Sequence, residues 1–494
     1  MKIWKYKLEI TVFISGAVIM IFELVWSRIL WPYFWTSIFI WTSLIGIILW
    51  SLSLGYYIWW KMSDKNPSYN TLSMIIFLSA ISIWIILVVK WFLLSFLQKN
   101  LIDIRIMSTL ASIILFLPTS VLLGMVFPFA AKLKLNSLDD SWKTIGNLNA
   151  VSTTWSILWT FLAWFYLIPH FWTNNLLVII SIILIFLCIF VYFWNKKLKV
   201  FSLIAFIFTL YSVSEINLSY EKNWFIDIDT AYNRVWIYDF TDLETWKTAK
   251  VMWINNENHS SMFLDSDELV NDYTKYYHLA KHFNPDFKKT LMLWWAWYSY
   301  PKDFLSRYSE SIIDVIEIDP KITELAKKYF RLKDNPRLTT YHEDGRAYLN
   351  KTEKKYDVIF WDAFSSHYSL PYQLTTKEAI QKKYDILNED GVVVLNIISS
   401  VEWKTGKFLR AEYFTYKSIF PQVYIFPVRK PENWTEVQNI ILVALKSDKK
   451  YSFNSSDKEL NGYLEHLWKK DIPNDLPLIT DDFAPVDYYI SEII

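Results

Sequence analysis

The sequence predicts an α-helical transmembrane bundle followed by an α/β domain built on a doubly wound parallel sheet. Three observations carry that prediction. Residues 1–215 are a series of long apolar stretches separated by short polar ones. Residues 216–289 turn charged and alternating, as in a β-rich lead-in. From Thr290 to residue 494, strand-like runs alternate with helical stretches, the pattern of a parallel sheet with crossover helices.

The apolar stretches fall near 8–30, 37–60, 71–97, 106–131, 150–169, 172–194 and 200–214. Most are long enough to cross a hydrocarbon core of about 30 Å, and the last is short enough to lie at the interface. The first is too long for a cleavable signal and holds Glu23. Lys2, Lys5, Lys7, Lys61, Lys65, Lys132, Lys134, Lys143, Lys196, Lys197 and Lys199 all fall in loops on one side, which the positive-inside rule makes cytoplasmic. The chain is thus expected to be an integral, multi-pass protein of the cell (inner) membrane with the lipid bilayer as a partner. Seven spans would put the C-terminal part outside, whereas a cytosolic nucleoside cofactor argues for a cytoplasmic domain. Within the spans, Glu23 and Arg28 are costly charges five residues apart, so Arg28 is expected to pair away from its own helix face.

Charge excludes little but says something. Lys+Arg 50 against Asp+Glu 49 leaves +1, so no global field points to nucleic acid. One cysteine, Cys188, excludes internal disulfides and cysteine-rich metal sites, and seven histidines lack metal-ligand spacing, so no metal is expected. The oligomeric state is open, a homo-oligomer included.

Glycine is scarce. An average chain of this length carries about 35 glycines; this one has 9 Gly and 27 Trp. Some genetic codes read UGA as tryptophan and others read it as glycine. Most of these tryptophans are therefore expected to be glycine positions. Trp155 and Trp159, spaced by four, would then form a small-xxx-small helix contact.

The chemistry-bearing motifs follow the strands. In "TLMLWWAWYSYP" the first strand runs into Trp294, Trp295 and Trp297, where a nucleotide-binding turn wants glycine so that backbone can approach the ligand. "DVIEIDP" closes the second strand with Glu317 and Asp319, acids placed to accept hydrogen bonds from ribose hydroxyls. Asp344 and Gly345 follow the third strand in "YHEDGRAYL", where the acid could accept from an adenine amino group. Asp362 closes the fourth in "YDVIFWDAFSS". Each acid alone is as well read as a helix N-cap or turn residue. Four in order at four strand ends are more specific.

These motifs resemble the spermidine synthase (polyamine aminopropyltransferase) family, a Rossmann-like branch of the class I methyltransferase fold, over about residues 225–445. "YYHLAKH" is similar to that family's Tyr-His-Glu-x-x-x-His segment, with Tyr276 and His282 kept and His278 in place of Glu. "ELVWSRILWPYFWTS", "IGNLNAVSTTWSILWTFLAWFYLIP" and the tail "TDDFAP" resemble the multi-pass proteins that carry such a domain, with Trp standing where those proteins have Gly. Trp41 matches a true tryptophan there. The resemblance implies decarboxylated S-adenosylmethionine or S-adenosylmethionine as bound substrate, and transfer of an aminopropyl or related group to a polyamine-like amine. It implies Asp362 as the catalytic acid, and Tyr276 and Ser365 near the amine; His259 in "NHSS" is read from the sequence as either facing the substrate cleft or an ordinary loop histidine. Two departures stand out. Ala296 replaces the Asp that holds the aminopropyl amine, and Ser365 replaces the second acid, which a hydroxyl cannot match as a base near neutral pH. The competing expectation is a polyamine or cation transporter or sensor whose nucleoside-binding domain does no chemistry.

Overall fold

The computed structural model describes residues 6–34, 38–63, 67–100, 103–134, 141–192, 200, 204, 207, 226–241, 246–255, 257–294, 298–362 and 370–493. Contacts divide the chain into two compact units, Met1–Arg234 and Val235–Ile494.

The first unit is a helix bundle. Among the described residues six helices are long and apolar enough to cross a membrane: α1 (Lys7–Phe34), α2 (Ile38–Ser63), α3 (Tyr69–Asn100), α4 (Ile104–Lys134), α5 (Ser141–Leu162, continued by helical turns to His170) and α6 (Thr173–Val191). The expected seventh stretch, 200–214, lies almost entirely outside the described residues. Polar side chains join the helices to one another. Ser43 meets Ser108 at 3.0 Å, Ser82 meets Thr119 at 2.7 Å, and Ser73 donates to the Cys188 carbonyl at 2.7 Å. Glycine sets the closest approach. A Cβ on Gly55 of α2 would stand 2.5 Å from the Val121 carbonyl oxygen of α4.

The bundle has two distinct ends. At one, Lys134 pairs with Glu9, the Lys7 ammonium lies 4.8 Å from the Tyr69 ring centre, and α6 runs out at Val191. At the other, Lys90 bonds Asn174, the Thr173 amide donates to Asp229 at 2.9 Å, and Arg28 donates to the Thr230 carbonyl. The off-face partner expected for Arg28 is thus the Thr230 backbone, just beyond a short strand β1 (Ile226–Asp229).

In the second unit, β2 (Arg234–Thr241), β3 (Thr248–Ile254) and β4 (Glu257–Phe263) form antiparallel hairpins, the lead-in read from "RVWIYDF" and "AKVMWIN". A seven-stranded sheet follows. It consists of β5 (Lys289–Trp294), β6 (Ile312–Ile316), β7 (Leu338–Tyr341), β8 (Tyr356–Asp362), β9 (Leu387–Ser399), β10 (Gln422–Pro427) and β11 (Gln438–Leu445). Their order is β10-β11-β9-β8-β5-β6-β7. β5 through β9 pair in parallel, and the β10–β11 hairpin adds an antiparallel edge.

The central parallel strands β5, β8 and β9 carry long apolar runs, as expected of strands covered on both faces. Leu291, Leu293, Ile359, Trp361, Val393 and Leu395 point to one face and join its core. Alternate residues point the other way, where Phe360 meets Tyr300 with ring centres 5.0 Å apart. An α-helical bundle followed by a Rossmann-like α/β domain is therefore the architecture of this chain.

Candidate functional site

Strand order decides where a site can form. β5 has β6 on one side and β8 on the other, so successive crossovers leave it in opposite directions. In open α/β sheets, ligands bind at that switch point, beyond the carboxyl ends of the strands. The register sets Trp294 of β5 directly opposite Asp362 of β8. Glu317 follows β6, whose last residue Ile316 pairs with Leu293 of β5. Asp344 comes three residues after the end of β7, whose Tyr341 pairs with Ile316. The four strand ends that sequence singled out thus lie side by side along one sheet edge.

Asp362 is the most unusual of these acids. Its carboxyl is 7% exposed and burial pushes it up to about 6, against the opposing pull of hydrogen bonds from Asn396, Tyr273 and Tyr277. Asn396 Nδ2 donates to Oδ1 at 3.2 Å, and Asn439 Nδ2 in turn donates to Asn396 Oδ1 at 3.0 Å. The Tyr277 hydroxyl faces the carboxylate without completing a well-formed hydrogen bond. Burial and the neighbouring charge hold both tyrosines well above their ordinary range, so they stay protonated donors.

The other acids carry local structural work as well. Glu317 Oε1 accepts from the Asp319 amide at 2.8 Å. Asp319 caps the helix Pro320–Tyr329 by accepting from the Lys321 amide at 3.0 Å. Asp344 caps the helix Gly345–Lys351 by accepting from the Ala347 amide at 2.9 Å. A carboxylate that caps with one oxygen stays where a ligand could use the other, so capping and binding are compatible. Gly345 opens its helix, and an added Cβ would meet Leu374 at an ordinary 3.4 Å. Protein packing alone therefore does not demand glycine there.

Tyr276 stands apart from this edge. Its hydroxyl donates to the Val428 carbonyl at 3.2 Å and meets His466 Nδ1 at 2.8 Å, while its ring packs on Tyr463. The aromatic hydroxyls beside Asp362 are Tyr273 and Tyr277, which sequence reading missed. Their spacing of four within "DYTKYYH" puts both on one side of a helical turn, a signal that was available. His278 is held by Asp303 at 2.9 Å and the Tyr308 hydroxyl at 2.8 Å, away from the acids at the sheet edge. Trp295, Ala296, Trp297 and Ser365 lie outside the described residues, as do the side chains of Trp294 and His259. Tyr298, just past the turn, has a left-handed backbone (φ 56°) and a buried hydroxyl shared with Thr323 at 2.8 Å.

The C-terminal tail motif also finds its place. Asp481 of "TDDFAP" accepts from Arg346 at 2.7 Å and from Thr376 at 2.6 Å. The tail is thereby tied to the helix that Asp344 caps.

Comparison with known proteins adds an independent line. Residues 304–453 match the spermine/spermidine synthase domain. A polyamine aminopropyltransferase of Vibrio vulnificus is 32% identical over 149 residues, which is 30% of this chain and 48% of the relative. A probable polyamine aminopropyl transferase of Bifidobacterium longum is 28% identical over 221 residues, 42% of this chain and 46% of the relative. The chain thus spans about half the length of these two curated relatives. A probable spermidine synthase from Corynebacterium glutamicum superposes on 50% of this chain and 88% of its own, at 19% identity and a TM-score of 0.42.

Proposed function

We propose, on the premise that the chain carries a C-terminal spermine/spermidine synthase domain, that it is a membrane-bound aminopropyltransferase. It binds decarboxylated S-adenosylmethionine, or S-adenosylmethionine, and passes an aminopropyl or related group to a polyamine-like amine. The observation that carries this reading is Asp362, a buried carboxyl raised to about 6, at the end of β8 opposite Trp294 on β5. A carboxylate with that pKa is ionised at neutral pH yet still basic enough to take a proton. A sulfonium donor and a protonated polyamine are both cations and suit a site edged by Asp362, Glu317, Asp319 and Asp344.

In the reaction Asp362 accepts a proton from the acceptor ammonium; the freed nitrogen lone pair attacks the carbon beside the sulfonium, the carbon–sulfur bond breaks, a neutral thioether leaves, and the product nitrogen carries the positive charge. Asn396 holds the Asp362 carboxylate in place with the Tyr273 and Tyr277 hydroxyls beside it, so orientation and negative charge do most of the work. The purified full chain in detergent, given decarboxylated S-adenosylmethionine and putrescine, should form spermidine and the thioether nucleoside in equal amounts. If neither appears with putrescine or with longer polyamines, the transferase reading fails.

The side of the membrane on which the domain works follows from the donor. A nucleoside sulfonium made in the cytosol requires a cytoplasmic domain. A cysteine introduced as Asp334→Cys in a Cys188→Ser background decides it in whole cells. Labelling by a membrane-impermeant maleimide only after lysis supports the cytoplasmic side, and labelling of intact cells overturns it.

A further inference from the structure

Five non-glycine residues among those described have a left-handed backbone: Trp246 (φ 57°), Asn255 (48°), Tyr298 (56°), Arg331 (56°) and Trp403 (66°). There the Cβ crowds the carbonyl oxygen, so glycine and, less often, asparagine are the usual occupants. Asn255 needs no further reason. Tyr298 buries its ring and bonds Thr323. Arg331 donates to the carbonyls of Phe263 and Ser266 at 2.8 and 2.6 Å. In both, the side chain compensates for the strain.

The two tryptophans have no such compensation. Trp246 is 78% exposed and Trp403 73% exposed, the two most exposed large apolar side chains among the described residues. At Trp403 it is the backbone that is used. Its carbonyl accepts from Arg410 Nη1 at 2.9 Å and from the Gly406 amide at 3.3 Å, at the start of a helical turn. These positions demand a backbone conformation and give an indole nothing to pack on.

Buried tryptophans supply a second, independent observation. A buried indole N–H ordinarily finds an acceptor. Among the described residues, the buried Nε1 atoms of Trp26, Trp31, Trp59, Trp361 and Trp468 have none. Trp361 directly precedes Asp362, and its ring lies 3.4 Å from the buried ammonium of Lys383. Lys383 is not ion-paired with Glu412, whose buried carboxylate oxygens have no hydrogen-bond partner. Exposed strained tryptophans and buried unpartnered ones are what results when one residue type is written into positions selected for another.

We propose that the cell that makes this protein decodes UGA as glycine, and that its native chain carries glycine at positions 246 and 403. The same substitution extends to most of the 27 Trp that stand against only 9 Gly.

The test is peptide sequencing by mass spectrometry of the protein isolated from its own cells, covering positions 246 and 403, together with the gene's codons. Glycine in both peptides, from UGA codons, is the expected result. Tryptophan in either peptide, or UGG at either codon, overturns it. Because this reads mass and not activity, it stands or falls separately from the transferase assignment. A second measurement uses recombinant protein. The literal chain and its Trp246→Gly/Trp403→Gly variant are compared by thermal unfolding in detergent, and the variant should melt higher. An equal or lower midpoint would remove the strain argument.

Discussion

Asn396 donates its amide hydrogen to Asp362 at 3.2 Å, and Asn439 steadies Asn396 at 3.0 Å from the neighbouring strand. This pair links β11, through β9, to the carboxyl end of β8. It also sets how readily Asp362 ionises, since a donor to the carboxylate favours the charged form. Asn396→Leu should therefore push the Asp362 carboxyl above its present value of about 6. The acid limb of the kcat/KM profile should move to higher pH by measurable fractions of a unit; an unmoved limb would separate Asn396 from the proton-accepting group.

Replacing the acid itself is the more severe test. Asp362→Asn should lower turnover by about 10²- to 10⁴-fold, the usual contribution of a positioned base. In the parent protein, activity should rise through pH 6 as the carboxyl ionises, and that rise should be absent from the variant's residual rate. Spermidine formation that survives Asp362→Asn intact would exclude this residue as the base.

The same ionisation predicts an effect on stability, with a definite sign. Burial raises Asp362, so the folded state binds its proton more tightly than the unfolded chain does. This group's contribution is most favourable below about pH 4 and declines as pH rises to about 6, then levels off. At pH 8, Asp362→Asn should be more stable than the parent by about 1 to 3 kcal/mol. Denaturation of the two proteins in detergent at pH 4.5 and pH 8 checks this, because the difference should grow with pH.

Asp344 combines a cap with a candidate ligand contact, and two substitutions pull the roles apart. Asparagine caps helices about as well as aspartate, so Asp344→Asn should leave the unfolding midpoint nearly unchanged. Asp344→Ala should lose about 1 kcal/mol of stability with the cap. If the carboxylate also holds the nucleoside, both variants should bind it more weakly by about 1 to 3 kcal/mol. Calorimetric titration with unchanged affinity in both would leave Asp344 a cap only.

Arg346 connects the tail to this region, donating to Asp481 at 2.7 Å and to the Gln373 carbonyl at 2.8 Å. Hydrogen bonds from Arg346 and Thr376 hold the Asp481 carboxyl below its usual range despite opposing burial. Its contribution is thus present at neutral pH and lost as pH falls through the lowered value. Arg346→Ala should destabilise by about 1 to 3 kcal/mol, since it strands two acceptors. Protease digestion should then reach residues 470–490 faster than in the parent, and an unchanged rate would mean the tail is held elsewhere.

By itself the sequence determined the layer plan and the line of acids. Twenty-residue apolar runs need no tertiary context to be legible, because the hydrocarbon thickness fixes their length. Strands buried on both faces are equally plain in "LMLW", "DVIEI" and "VVVLNII". The positions of Glu317, Asp319, Asp344 and Asp362 after those strands followed at once.

Only the tertiary structure decided which neighbours those acids have. Strand order, with β8 beside β5 and β7 two strands away from it, depends on crossover direction, which no local pattern encodes. That order sets Asn396 against Asp362, although 34 residues separate them, and Asp481 against Arg346 across 135. It also turned Tyr276 toward His466 and brought Tyr273 and Tyr277 to the carboxylate instead. Side chains four apart share a helix face, but what that face meets is fixed by packing against distant strands. The strained backbone at Trp246 and Trp403 is of the same kind: composition shows few glycines, and only the folded chain's dihedral angles say where a non-glycine residue takes a left-handed conformation.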